Sequence, residues 1–265
     1  MIYVCIPSYN EASTVGLLLW KIRAVFAGFP REYQLLVLDD GSTDATGEVM
    51  EPYTRVLPLT LLRHTQRQGY AASVEALLRK AVELTDRPKR DAAILMHADF
   101  THSPQAIPDL VRRIESGADM VVADGKLTGK VSPGHRLIRR AAPLFFRGVV
   151  SIPDVRDLVS GFAIIRLIAL RNALRSQPGR LLVCDDWAAN AELYWRASRY
   201  SRQIQSVPAP ERHDLRTRSS RVRPWELARH LWAARDKLRS TPIAPAAPDR
   251  PSSREKEGRT EAVPS

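Results

Sequence analysis

An α/β fold with a mainly parallel central sheet and helices on both faces is what the sequence predicts, and three observations predict it. Short apolar runs recur along the first half of the chain and alternate with segments of helical apolar spacing. The runs are apolar throughout, as in strands buried on both faces. Two of them stop abruptly at polar residues, Asp39-Asp40 and His97-Ala98-Asp99. In open sheets of this class, ligands bind at the carboxyl ends of the strands.

Ile2 to Ile6 reads as the first strand, ended by Pro7-Ser8-Tyr9-Asn10-Glu11. Ser13 is placed to cap a helix whose Val15, Leu18, Leu19, Ile22, Val25 and Phe26 share one face. Gln34 to Leu38 is the second strand, followed by Asp39-Asp40-Gly41-Ser42-Thr43-Asp44 and a helix from Ala45 to about Tyr53. Leu57 to Leu62 is the third, leading through His64-Thr65-Gln66-Arg67-Gln68-Gly69 to a helix with Val74, Leu77, Leu78, Ala81 and Val82 on one face. Ala92 to Met96 is the fourth, and a helix from Gln105 to Glu115 follows it, with Asp99 or Ser103 as its expected cap. Asp119 to Ala123 is the fifth.

The second half is less regular. Lys126 to Gly134 reads as a loop, and His135 to Val150 as a helix carrying Arg136, Arg139, Arg140 and Arg147. Asp157 to Phe162 precedes a strand through Ile165, and Cys184-Asp185-Asp186-Trp187 opens a helix containing Glu192. Gln203 to Val207 is a last strand. The sequence divides into a domain over 1–224, an amphipathic helix over 225–239 and a tail over 240–265. The tail is rich in Pro, Ser and charge and is expected to be disordered. In the 225–239 helix, Leu227, Leu231, Ala234 and Leu238 form a stripe with Trp225 and Trp232 beside it and basic residues on other faces. That pattern fits an interfacial helix on a membrane or a helix packed on the domain.

The 265 residues carry a net charge of +11. Between Arg199 and Arg239 there are eleven Lys/Arg against four Asp/Glu, so +7 of the total lies there. Such a balance points to an anionic partner. Nucleic acid is set aside, because the basic stretch has neither recognition-motif spacing nor a stacking platform. No run is long enough to span a bilayer, and no signal peptide is expected, since a strand starts at Ile2 with no basic stretch before it. Cys5 and Cys184 form no metal-ligand spacing, and Cys5 reads as a buried thiol in a reducing compartment.

Two polar clusters thus meet at one sheet edge, with Pro7 to Glu11 beside them. Asp39 can accept a hydrogen bond from a base N–H, and Asp99 can hold a metal that neutralises a diphosphate leaving group. Taken singly, Asp39-Asp40 also fits an Asx-turn or helix cap, and Asp185-Asp186 fits acidic residues at a helix N-terminus.

Pro7-Ser8-Tyr9-Asn10-Glu11, Asp39 to Asp44 and the Asp99 turn together resemble the family 2 glycosyltransferases. The resemblance covers roughly 1–224 and implies the GT-A fold, a Rossmann-like nucleotide-diphospho-sugar transferase architecture. Asp157 to Phe162 resembles the D-x-x-S-G-F segment of dolichyl- and polyprenyl-phosphate mannosyltransferases. Arg216 to Arg221 resembles their late Arg- and Ser-rich segment. The resemblance implies a donor site at Pro7, Tyr9, Glu11, Asp39, Asp40, His97, Ala98 and Lys126. It implies a divalent metal, Mn²⁺ or Mg²⁺, at Asp99 and His97, and phosphate contacts from Arg139, Arg218, Ser219 and Arg221. Asp99, Asp186, Arg139 and Arg221 are its catalytic candidates. The implied activity is inverting transfer of a hexose from a GDP- or UDP-sugar to a polyprenyl phosphate or other lipid acceptor, by a cytoplasmic protein, peripheral on the inner membrane face.

The chain departs from the family where metal would bind. His97 stands for the first Asp of Asp-x-Asp, Thr101 for a following Gln, Gln68 for a Gly, and Lys126 for an Arg. Imidazole suits Mn²⁺ better than Mg²⁺. Two alternatives stay open: transfer to a hydroxyl with Asp186 as base, since a hydroxyl must lose its proton, and a catalytically impaired nucleotide-sugar-binding homologue.

Overall fold

In the computed structural model, residues 1–125, 127–128, 133–177, 179–212 and 224–240 are described. Strands and helices alternate as β1 (Ile2–Ser8), α1 (Val15–Gly28), β2 (Tyr33–Asp39), α2 (Thr46–Met50), β3 (Leu59–Arg63), α3 (Tyr70–Leu84), β4 (Ala92–Leu95), α4 (Ile107–Glu115) and β5 (Met120–Asp124). The second half adds β6 (Leu127–Thr128), α5 (Pro133–Phe145), β7 (Ala163–Arg166), α6 (Leu167–Arg175), α7 (Asp186–Ser198), β8 (Ile204–Pro208), β9 (Glu211–Arg212) and α8 (Pro224–Ser240).

The main sheet runs β3-β2-β1-β4-β7-β5-β8. All neighbours pair in parallel except β7, which is antiparallel to both β4 and β5. The mainly parallel sheet of the sequence reading therefore stands, with one reversed strand, the fifth of seven, within it. A short parallel ribbon of β6 and β9 lies apart from it.

Strand alternation sorts the core into two layers. Tyr3, Cys5, Leu36, Leu38, Ala93 and Leu95 face a layer built on α3, α6 and α7. Ile2, Val4, Ile6, Leu35, Val37, Ala92 and Ile94 face α1 and α4. The stripe Leu231, Ala234 and Leu238 of α8 is buried in the first layer. Helix α8 thus packs on the domain by one face, and each fully buried leucine there contributes about 2 kcal/mol. Both cysteines are free and buried, and burial above all pushes the Cys184 thiol up to about 12.

Several boundaries differ from the sequence reading, for local reasons. Ser13 caps nothing: Thr14 holds the N-cap position of α1 without a side-chain cap bond, and its hydroxyl donates to Glu11 Oε2 at 2.8 Å. The helix after Ala45 is only α2, then tightens to a 3₁₀ turn over Glu51–Arg55, because Pro52 has no N–H to continue the ladder. The helix expected from Gln105 begins with a 3₁₀ turn, Pro104–Ala106. Neither Asp99 nor Ser103 caps it: Ser103 bonds the Gln105 side chain, and Asp99 Oδ1 accepts from the Thr101 N–H at 3.1 Å. The helix expected from His135 to Val150 ends at Phe145, with Pro143 in its last turn. Of the expected disordered tail over 240–265, Ser240 closes α8 and 241–265 lie outside the described residues.

Candidate active site

The ends of β1, β2 and β4 lie side by side, with Ser8 in register with Asp39. Their loops are stitched together by side chains. Asn10, at φ 54°, accepts the Thr43 N–H at 2.7 Å, and its own N–H donates to Ser42 Oγ at 2.9 Å. The Glu11 N–H donates to Thr46 Oγ1 at 2.8 Å, and Asp44 accepts from the Ala12 N–H and the Thr46 hydroxyl. The Ser-Thr-Asp stretch therefore holds the Pro7–Glu11 loop in place. Gly41 sits at φ +64°, and a Cβ there would lie 2.6 Å from Arg67 N, so only glycine lets the two loops approach.

Adjacent strand residues point opposite ways, and the two aspartates part company. Asp39 Oδ1 accepts the Ser42 N–H at 3.0 Å on the α2 side. Asp40, expected at the donor site, is engaged by the loop before α3. Its carboxylate accepts the N–H groups of Gln68 and Gly69 at 2.8 and 2.9 Å and meets His64 Nδ1 at 2.7 Å. Asp40 builds the turn into α3. That turn carries Arg67, whose guanidinium lies 4.4 Å over the Tyr9 ring. The sequence reading passed over Arg67, although it sits in the loop singled out for its altered glycine.

At the end of β4, His97 is embedded in a polar network. Its Nε2 lies 3.3 Å from the Tyr70 hydroxyl. That hydroxyl donates to Asn190 Oδ1 at 2.9 Å, and Asn190 Nδ2 donates to the Val159 carbonyl at 3.0 Å. With the tyrosine proton committed to Asn190, the His97 Nε2–H is the donor to the tyrosine oxygen. The His97 N–H donates to His102 Nδ1 at 3.1 Å, so His102 Nε2–H donates to the Ser160 carbonyl at 3.0 Å. His102 stacks on Phe162, and burial above all, then the neighbouring His97, holds its pKa well below the histidine range. Burial likewise raises the pKa of the Tyr70 phenol. Tyr70 and Asn190 are further residues that sequence reasoning missed.

Gly161 explains the S-G-F part of the Asp157–Phe162 motif. It adopts φ +76°, and a Cβ would stand 2.7 Å from Asn190 Nδ2, 2.9 Å from His97 Nε2 and 2.9 Å from the Tyr70 hydroxyl. Gly161→Ala is expected to cost about 1–3 kcal/mol from the backbone alone. It also displaces His97, so thermal melting should fall and nucleotide affinity should weaken in the same variant. A variant with native melting and native nucleotide binding contradicts this packing.

Arg139, expected as a phosphate contact, is engaged by two carboxylates. Its side chain is buried between Asp157 and Glu211 and pairs with both carboxylates. Burial opposes its charge, but Glu211 and Asp157 outweigh that and raise its pKa. Asp157 Oδ1 also accepts the Val159 and Ser160 N–H groups at 3.1 and 3.0 Å, fixing the segment that leads to Gly161. Arg139 borders a cleft of about 450 Å³ that Asp124, Gly125, Arg136, Arg140 and Arg156 also line. The arginines of that cleft, rather than Arg139 alone, make it suited to phosphate.

Asp185 caps α7 and accepts the Ala71 N–H at 3.0 Å, tying α7 to the start of α3. Asp186 follows at φ 52°, and its carboxylate meets His230 Nδ1 of α8 at 3.1 Å. Asp99 and His97 offer one carboxylate and one imidazole. Among the described residues no group of three or more His, Cys, Asp or Glu gathers to hold a metal. Such a donor pair would suit Mn²⁺ better than Mg²⁺. Lys126, Arg218, Ser219 and Arg221 lie outside the described residues.

Comparison with known proteins gives consistent findings. The profile described as glycosyl transferase family 2 matches residues 3–173. A dolichol-phosphate mannosyltransferase of Pyrococcus furiosus is 31% identical over 168 residues, 62% of this chain and 45% of that protein. A bactoprenol glucosyl transferase of Shigella phage SfV is 26% identical over 174 residues, 64% of this chain and 53% of that protein. The chain thus spans about half the length of these curated relatives. A solved mannosyltransferase of Pyrobaculum calidifontis, in complex with GDP-Man and Mn²⁺, superposes with a TM-score of 0.60. It is 17% identical, with 92% of this chain and 65% of that one covered.

Proposed function

Because the chain belongs to glycosyl transferase family 2 and has the GT-A fold, we propose that it moves a hexose from a nucleotide-diphospho-sugar to a polyprenyl phosphate. The transfer inverts the anomeric centre and takes place on the cytoplasmic face of a membrane. The observation that carries this reading is one juxtaposition. The donor-site edge, formed by the ends of β1, β2 and β4, is joined to an arginine-lined cleft at the end of β5 through residues 157–161, since Asp157 lines the cleft and Gly161 meets His97. The named activities of the Pyrococcus and phage relatives support the same acceptor class.

In this reading Tyr9, Arg67 and Asp39 enclose the nucleoside. Asp99 and His97 are the residues that hold a divalent metal, which when bound offsets charge on the diphosphate. An acceptor phosphate oxygen attacks the anomeric carbon as the bond to the diphosphate breaks on the opposite side. A phosphate monoester arrives already deprotonated, so the step requires no carboxylate base. It requires cations against repulsion between two anions, and Arg136, Arg140 and Arg156 provide them at the cleft.

In a second reading the acceptor is a hydroxyl and Asp186, exposed enough at the start of α7 to meet His230 Nδ1 at 3.1 Å, removes its proton. One assay separates the two. Purified protein is first titrated calorimetrically with UDP and with GDP, each with Mn²⁺, Mg²⁺ or EDTA. It is then incubated with the matching nucleotide-hexoses and a polyprenyl phosphate. Metal-dependent binding of one nucleotide, with a lipid-linked hexose formed equally by wild type and Asp186→Asn, is the expected result. Product only on hydroxyl acceptors, lost in Asp186→Asn, overturns the phosphate reading. Nucleotide binding with no transfer to any acceptor leaves a binding protein.

A further inference from the structure

We infer that the paired outer faces of α5 and α8 form a docking surface for an anionic bilayer and set the arginine cleft against its headgroups. The use of this surface rests on the lipid-phosphate reading above. The surface itself rests on side chains.

Helix α8 buries Leu231, Ala234 and Leu238, yet it exposes both of its tryptophans. Trp225 and Trp232 are 57% and 56% exposed. They stand seven residues apart, about two turns, so they share a face. Counted at 3.6 residues per turn, that face lies away from the buried stripe. Arg229 falls between them, with its guanidinium 5.4 Å from the Trp225 ring, and Arg235 lies 5.5 Å from the Trp232 ring. Helix α5 packs against α8, and Phe145 meets Trp232 edge-on at 6.3 Å.

The same pattern repeats on α5. Leu137 and Leu144, also seven apart, are 69% and 65% exposed, and Arg140 lies between them. No acidic residue occurs in α5, and exposed Arg136, Arg140 and Arg147 flank its leucines. Two adjacent helices thus each present an apolar pair with arginine between. Scattered single apolar residues on a surface need no explanation, but a two-helix patch of this kind does.

Charge selects the occupant. Helix α8 also carries Glu226 and Asp236, but arginines outnumber acids across the two helices, so a second copy of this face would set mostly arginines against arginines, whereas anionic headgroups complement them. Tryptophan and arginine together suit the headgroup boundary, where the indole seats in the interface and the guanidinium meets phosphate. Among the described residues no helix is long and apolar enough to cross a membrane, so this contact lies along the surface. The same helix α5 lines the cleft with Arg136, Arg139 and Arg140. Docking by its outer face therefore brings the cleft beside the plane in which a lipid phosphate lies.

The test is flotation of the full chain with phosphatidylcholine vesicles and with phosphatidylglycerol vesicles, without donor or acceptor. Binding to phosphatidylglycerol vesicles alone is expected, weakening as salt rises. Trp225→Ser with Trp232→Ser is expected to lower partitioning at least about tenfold. Arg229→Gln with Arg239→Gln is expected to lower it about thirtyfold. All four side chains are exposed, so native melting temperatures are expected in both variants. A blue shift of tryptophan emission on vesicle addition should vanish in the tryptophan variant. No flotation of wild type, or equal flotation of the tryptophan variant, overturns the inference. So does dimerisation in solution that the same substitutions abolish, which would assign the face to a second copy. Transfer to a short, water-soluble polyprenyl phosphate should survive in the tryptophan variant. Absence of vesicle binding by the wild type with its soluble transfer intact strikes this inference only, and absence of transfer from the wild type strikes the function.

Discussion

Asp99→Asn is expected to lower sugar transfer about a thousandfold while the melting temperature stays within error of wild type. The fold is spared because asparagine keeps the oxygen that accepts the Thr101 N–H, the bond that closes the turn. What disappears is the negative charge at the end of β4. His97 is its neighbour in the position where the family carries a second carboxylate, so Asp99 bears that electrostatic role without help from another carboxylate there. Steady-state kinetics beside a thermal melt checks this. Undiminished transfer in Asp99→Asn would place the chemistry elsewhere on the sheet edge.

Arg139→Met is expected to destabilise the protein by about 3–5 kcal/mol. The guanidinium is buried between Asp157 and Glu211, and removing it leaves two buried carboxylates facing each other. Urea midpoints should show the loss, and the further changes Asp157→Asn and Glu211→Gln should recover most of it. Asn at 157 still accepts the Val159 and Ser160 N–H groups, so the segment before Gly161 keeps its turn. A loss below about 1 kcal/mol would mean that the three groups are solvated and act as surface charges do. This expectation follows from the structure alone, since the sequence reading made Arg139 a phosphate ligand.

The strands at the site were legible because β1, β2 and β4 are buried on both faces and therefore read as unbroken apolar runs. Their polar ends marked the edge at which the site forms. The different destinies of Asp39 and Asp40 were less legible, although alternation along a strand sends neighbours to opposite sides. Arg139 had a similar clue: it lies three residues before Ala142 and seven before Phe146, both buried, whereas Arg136 and Arg140 are exposed. Tyr70 and Asn190 were not legible. Each sits at an ordinary helical position, and only the fold brings them to His97. The direction of β7 was equally hidden, because four apolar residues carry no sign of which way they run.

The place of β7 in the sheet also constrains the order in which the protein assembles as it leaves the ribosome. Strand β5 finds its hydrogen-bonding neighbours only in β7 and β8, both synthesised later. Until residues 163–166 emerge, β4 shows an unpaired edge on one side and β5 has no partner at all. The first four strands can gather early, but the nascent chain carries open edges on β4 and β5 for the time needed to translate about forty more residues, some seconds at ordinary elongation rates. Open apolar edges recruit other chains. The reversed strand that delivers Gly161 to the site is therefore also the latch that ends the most aggregation-prone interval of biosynthesis.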